Sequence, residues 1–200
     1  ILRRITHLEG ISLLEKGALF LMQARYARAQ GDSERALELV SDAQPLVPSE
    51  HPLQLELSIF SIYAYTDTGR WKDLDLLVEQ LKMITGFTPR QSGSLHRAIG
   101  YALLQQGHML QAYDHLQIAK QSLLAEGDIG QAIAALTSLG VLKFREKNLE
   151  NAERFYKSAL QLAQKHHLLP EVEHVWMNLG LIMILMNRLD EAAPLLEKAE

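Results

Sequence analysis

Histidine is the one residue type present in numbers that could hold a metal, with eight copies in the chain. His108 and His115 are seven residues apart, a spacing that puts both on one face of a helix. His166, His167 and His174 gather around Pro170. A zinc centre needs three or four converging ligands, each oriented by a partner behind it. The chain has no His-Glu-x-x-His run and no cysteine. These histidines are therefore read as surface or half-buried side chains, and neither metal nor cofactor is expected.

Other chemistries fail in turn. Without cysteine there is no disulfide scaffold, no iron–sulfur cluster and no thiol nucleophile. No Gly-x-x-x-x-Gly-Lys run is present to cradle a phosphate, and neither Gly-x-Gly-x-x-Gly nor Gly-x-Ser-x-Gly occurs. Gly93-Ser94 reads as a loop before a helix with no base in a fixed role nearby, and a serine in a turn is ordinarily a cap. No enzyme is expected.

Charge and hydropathy narrow the partners. The 200 residues carry 20 Lys plus Arg against 24 Asp plus Glu, a net charge of −4. That balance lacks the basic excess of a nucleic-acid binder. The longest apolar run, near Leu179–Met186, falls far short of the roughly 20 residues that span a bilayer. The start lacks a charged, apolar, then small leader pattern, so a cytoplasmic location is expected. Ile1 at one end and Lys198-Ala199-Glu200 inside a helical pattern at the other read as the ends of a piece of a longer protein.

The elements that position these residues come from an internal repeat. Small residues recur with spacings of 12 and then 7. They are Ala24, Ala36, Ala43; Gly100, Ala112, Ala119; Gly140, Ala152, Ala159; and Gly180, Ala192, Ala199. A further copy in phase is larger: Ile62, Leu74, Leu81. The period is 38 to 40. Between the first and second member of each triplet lies a turn signal: Gly31-Asp32-Ser33, Gly69-Arg70, Gly107-His108, Lys147-Asn148 and Asn187-Arg188. Gly and Asn tolerate the left-handed conformation that ends a helix. Each repeat is thus a helix A, a tight turn and a helix B, and the small residues let the two helices approach closely.

Large residues fill the gaps. Four before the first small residue come Phe20, Ser58, His96, Leu136 and Trp176; four after the second come Val40, Val78, Leu116, Tyr156 and Leu196. Such a pair leaves an apolar face that only the next pair covers. The expected fold is all-α: a right-handed superhelical solenoid of about five antiparallel helix pairs with no sheet. It is one domain over 1–200, with repeats near 10–48, 49–86, 87–127, 128–167 and 168–200, the last incomplete. Helices are expected near 10–30, 34–45, 51–67, 71–85, 91–106, 109–126, 129–146, 149–166, 171–186 and 189–200. Thr88 before Pro89 reads as an N-cap with proline at the first helical position. Asp128 reads as a cap, and Pro170 as a helix opening. Gly86–Gly93 reads as the longest turn-rich stretch, a plain connection or a hinge. Pro194 is tolerable only near a first turn. Met177, Met183 and Met186 read as core gap-fillers.

The motifs Trp176-Met177-Asn178-Leu179-Gly180 with Ala192 and Ala199, and Leu139-Gly140 with Ala152, Tyr156 and Ala159-Leu160, resemble the tetratricopeptide repeat family. Pro48 matches its closing proline. The usual period there is 34, so these helices or connections are longer. Periods near 40, and runs such as Leu189-Asp190-Glu191-Ala192-Ala193-Pro194-Leu195-Leu196, resemble the helical sensor regions of large LuxR/MalT-like ATP-dependent transcriptional activators.

The resemblance implies that inward-facing positions of the A helices contact ligands. Carried over by position, it marks Arg25, Arg28, Tyr63, Arg97, Tyr101, Gln105, Phe144 and Arg145 as a concave binding surface, with Asn178 matching a frequent family asparagine. Arginine and aromatic side chains suit binding hot spots. The competing reading is an ordinary amphipathic surface in which Arg stems cover apolar neighbours. The Lys and Asn set that clamps chaperone carboxylates is absent. The function implied is a non-catalytic region that binds a protein, a peptide or a small inducer, as the sensor or regulatory part of a larger bacterial transcriptional regulator. The alternative is a general adaptor that assembles a protein complex. The apolar helix Val175–Met186 leaves an end open to self-association.

Overall fold

The computed structural model describes residues 10–168 and 173–198. They form ten α-helices: α1 Leu13–Ala29, α2 Ser33–Ala43, α3 Pro52–Asp67, α4 Trp71–Lys82, α5 Pro89–Gln106, α6 Met109–Ala125, α7 Ile129–Arg145, α8 Leu149–Lys165, α9 Glu173–Leu185 and α10 Leu189–Glu197. A short 3-10 turn, Gln44–Leu46, follows α2. No strand occurs among the described residues. The helices group into two compact units. One ends at Ile84 and holds α1–α4; the other begins at Thr85 and holds α5–α10.

In the first unit α1 packs antiparallel on α2, and both pack on α3. Its core joins Leu21 and Ala24 of α1, Ala36, Val40 and Ala43 of α2, and Leu57, Phe60 and Ala64 of α3. The α3–α4 pairing is the sparsest of the five helix pairs. Ile62, Leu74 and Leu81 stand there in place of small residues and are all buried. Close-packed side chains of that size hold two backbones apart.

In the second unit α5 packs on α6, α7 on α8, and α9 on α10. Three glycines set these distances. A Cβ on Gly100 would lie 2.7 Å from Leu116 Cγ, one on Gly140 would lie 2.6 Å from Tyr156 Cε1, and one on Gly180 would lie 2.6 Å from Leu196 Cδ2. The large residue four after each second small position is thus seated over the first.

The turns share one design. The N–H of Asp32, Arg70, His108, Asp128, Asn148, Leu168 and Arg188 bonds to the carbonyl five residues back, at 2.8–3.0 Å. This is the six-to-one bond of a Schellman cap, which needs a left-handed residue just before the donor. In the second unit those residues are Gly107, Gly127, Lys147, His167 and Asn187. At the fourth repeat Lys147, not its neighbour Asn148, turns left-handed with φ 59°. Asn148 instead caps α8, its side chain accepting from the Asn151 N–H.

Several starts match the expected capping chemistry. Thr88 and Gln91 form a reciprocal capping box at α5, with Pro89 in the first turn. Asp128 accepts from the Gln131 N–H. The turn-rich reading of Gly86–Gly93 is corrected, because residues 89–93 are helical. Gly93 and Ser94 lie inside α5, and a Cβ on Gly93 would meet Leu123 Cγ at 2.9 Å. Pro194 is the sixth residue of α10, beyond the first turn, on an exposed position. Ala199 and Pro170 lie outside the described residues.

Candidate functional site

Three of the candidate binding residues lie in the first unit, and two of them, Arg28 and Tyr63, meet. Arg28 on α1 donates from Nε to Asp67 Oδ2 on α3 at 2.6 Å, and its guanidinium carbon lies 4.9 Å from the Tyr63 ring centroid. Tyr63 is buried. Ser33 Oγ, at the start of α2, reaches the same Asp67 oxygen at 3.5 Å. Arg25 bonds Glu56 at 3.0 Å across the same helix pair. These arginines bridge neighbouring A helices, 31 and 39 residues apart in sequence. Both arginines thus make an ion pair within the scaffold.

The second unit holds the other six. Arg97, Tyr101 and Gln105 form a row on α5 at four-residue spacing, the first two half-buried and the third exposed. Arg145, at the end of α7, donates to the Leu104 carbonyl at 2.7 Å and to Gln105 Oε1 at 2.9 Å. The Leu104 carbonyl belongs to the last turn of α5, where the helix dipole favours a cation. Phe144 is half-buried and packs into the core that α7 shares with α8 and α9. Asn178, on α9, is half-buried. The structure thus brings Gln105 and Arg145 together. It places Arg97 and Tyr101 beside them along α5 and leaves Asn178 two A helices away.

The histidines rearrange the metal reading. His108 is the cap residue of α6 and is exposed, whereas His115 faces α5. The partner of His115 is His96: their Nδ1 atoms are 3.0 Å apart, and the ring centroids 4.8 Å. Burial holds His96 below the usual imidazole pKa. No group of three or more His, Cys, Asp or Glu side chains converges as a metal site among the described residues. The pair was legible in the repeat itself. Its two positions hold Phe20 with Leu39, Leu136 with Phe155 and Trp176 with Leu195 in other repeats. A polar pair at an apolar position is the signal.

Two further charged clusters brace the second unit. Lys143 Nζ sits 4.5 Å from the Tyr113 ring centroid while pairing with Glu146. Glu153 on α8 pairs with both Lys157 and Arg188, and Arg188 also pairs with Glu191. Of Met177, Met183 and Met186, Met183 is core, Met186 is packed against it, and Met177 is exposed.

A tetratricopeptide repeat model matches residues 130–200, which span α7 to α10. Over those residues the chain is similar to the tetratricopeptide (TPR) repeat family. Solved structures extend the TPR-like fold over nearly the whole chain. BtubC from P. vanneervenii superposes with a TM-score of 0.71 at 16% identity, covering 98% of this chain and 83% of that one. A signal transduction ATPase with numerous domains (STAND) from Pyrococcus horikoshii, which carries a tetratricopeptide repeat sensor, gives 0.66 at 17% identity, over 92% of this chain and 29% of that one. TPR-like repeats of a Podosopora anserina kinesin light chain give 0.61 at 18% identity, over 93% and 94%. This chain therefore spans less than a third of the STAND protein. No curated protein matches the sequence. TPR repeats generally bind proteins or peptides and are typically non-catalytic. No helix among the described residues is long and apolar enough to cross a membrane.

Proposed function

We propose that this chain is a non-catalytic region that binds a protein or peptide, and that it acts as the sensor part of a larger bacterial transcriptional regulator. The row Arg97, Tyr101 and Gln105 on α5 carries the binding part of this reading. Arginine and tyrosine are enriched at interface hot spots because they combine flat contact area with fixed donors. The bond from Arg145 holds Gln105 in place before a ligand arrives, which lowers the ordering cost of binding. The sensor role is supported by the fold likeness to a STAND protein whose repeats are described as a sensor.

A peptide-display selection against the chain, repeated with the R97A/Y101A variant, tests the site. Selected peptides should bind the variant roughly tenfold or more weakly, equivalent to about 1.4 kcal/mol. Equal binding to a folded variant overturns the α5 site. A parent gene encoding no nucleotide-binding domain overturns the regulator role and leaves the adaptor reading.

A further inference from the structure

The two units use one position of the A helix in opposite senses. Counted from the first member of each triplet, at 62, 100 and 140, the fifth residue onward is Asp67 on α3, Gln105 on α5 and Arg145 on α7. In the first unit Asp67 accepts from Arg28 of the preceding A helix at 2.6 Å. In the second unit the polarity is reversed. Arg145 is the donor there, to the Leu104 carbonyl and to Gln105 Oε1 of the preceding A helix. Both acceptors are neutral, so this contact fixes the guanidinium without neutralising it.

The reversal belongs to a wider segregation of charge. Neither α5 nor α7 contains an Asp or a Glu, whereas together they hold Arg90, Arg97, Lys143 and Arg145. They do so on a chain whose net charge is −4. The carboxylates at the two ends of α7, Asp128 and Glu146, pair with Arg90 and Lys143. The other two cations, Arg97 and Arg145, mark the two ends of the row that has Tyr101 at its centre. Gln105, which Arg145 holds, lies eight residues after Arg97. At about 1.5 Å per helical residue, the two ends of the row are about 12 Å apart. An extended peptide advances about 3.4 Å per residue, so side chains about three or four residues apart span that distance.

We propose that the α5 row takes an acidic peptide: an extended segment with two Asp or Glu side chains about three or four residues apart. One carboxylate meets Arg97, the other meets Arg145, and an apolar side chain between them lies on Tyr101. The inference rests on the reading of this row as the binding site and adds the chemical class of what it binds. A guanidinium presents a planar fork that meets a carboxylate through two parallel N–H donors. A basic segment finds no carboxylate on α5 or α7 to pair with, and like charges brought together on binding cost affinity.

An array of synthetic peptides blocked at both ends, probed with the whole chain at low salt, tests it. Blocking removes the terminal carboxylate, so side chains alone supply the charge. Peptides that bind should carry paired Asp or Glu at the stated spacing. With one of them labelled with fluorescein, anisotropy should show affinity falling roughly threefold to tenfold in R97A and in R145A. Wild-type affinity should fall as salt is raised to about 0.5 M. Arg145 also braces α5, so a charge swap separates binding from folding. R145E should prefer the peptide with Lys in place of the acidic residue at that end over the parent peptide. Neutral or basic peptides that lose affinity in R97A/Y101A overturn the acidic class and leave the site standing. Acidic peptides indifferent to R97A, R145A and the swap overturn the site and this assignment with it. An array without a binder does the same.

Discussion

Tyr156 occupies the space that a side chain on Gly140 would fill. A Cβ there would lie 2.6 Å from Cε1, 2.8 Å from Cζ and 2.9 Å from Cδ1 of the ring. The phenol is buried, and burial pushes its pKa up to about 12. The glycine is therefore kept for room and not for backbone freedom, and the α7–α8 distance is set by a ring lying on bare backbone. G140A should cost about 1–3 kcal/mol, the range for overpacking a close-packed core. The first repeat shows the compensating pair, since Ala24 and Val40 occupy the corresponding positions. G140A/Y156V should thus be more stable than the sum of its single changes predicts, read from urea midpoints in a double-mutant cycle. Strict additivity would show that the two residues do not share this space.

The fold was legible because it rests on spacing. Small residues at fixed intervals dictate close antiparallel pairs, and their large counterparts Leu116, Tyr156 and Leu196 fall over the glycines as the pattern requires. The site was less legible because position on a helix does not say which partner takes a side chain's donors. Position alone marks Arg28 and Arg145 as ligand-facing, yet Asp67 and the α5 terminus take their hydrogen bonds. The pairing of His96 with His115 joins residues 19 apart on two helices, which no single-helix spacing rule detects.

Lys147 carries a strained backbone at a position where the preceding turns use glycine. Its φ is 59°, while Gly107 and Gly127 hold the same place in their turns at 84° and 70°. A residue with a Cβ pays about 1–2 kcal/mol in this region. Lys147 is exposed, so its removal costs little packing. K147G should raise stability by up to about 1 kcal/mol, the gain being partly offset by the greater chain entropy of glycine when unfolded. A melting temperature unchanged or lowered relative to wild type would show that the turn is not strained there.

Acid should loosen the α8–α10 junction. Burial alone would raise the Glu153 pKa, but hydrogen bonds and charge from Lys157 and Arg188 outweigh it and hold the carboxyl below its usual 4.5. A folded pKa below the unfolded value means that the unfolded chain binds more protons in acid. The stabilisation is complete above about pH 4.5 and is lost as pH falls further. E153Q removes this titration. Its stability should therefore depend less steeply on pH below 4.5 than that of wild type, as measured by thermal melting across that range. Parallel curves for the two proteins would assign the acid sensitivity elsewhere.

A second acid effect begins at higher pH, at the α5–α6 contact. With Nδ1 atoms 3.0 Å apart, one ring of the His96–His115 pair must donate its N–H while the other accepts. If both rings are protonated, each presents an N–H and a positive charge to the other. Burial lowers the His96 pKa from 6.5, so the folded chain resists a proton that the unfolded chain takes up. Stability is then level above pH 6.5 and declines as pH falls towards the folded pKa. The pattern of the fourth repeat supplies the control. There Leu136 and Phe155 hold the two positions, and H96L/H115F copies that apolar pair. Replacing both partners of a buried hydrogen bond by apolar groups of fitting shape is often nearly neutral. The double variant should match wild type at pH 8 and exceed it at pH 5.5, read from urea midpoints at both values. An equal fall for both proteins between those pH values would remove the histidine pair as its cause.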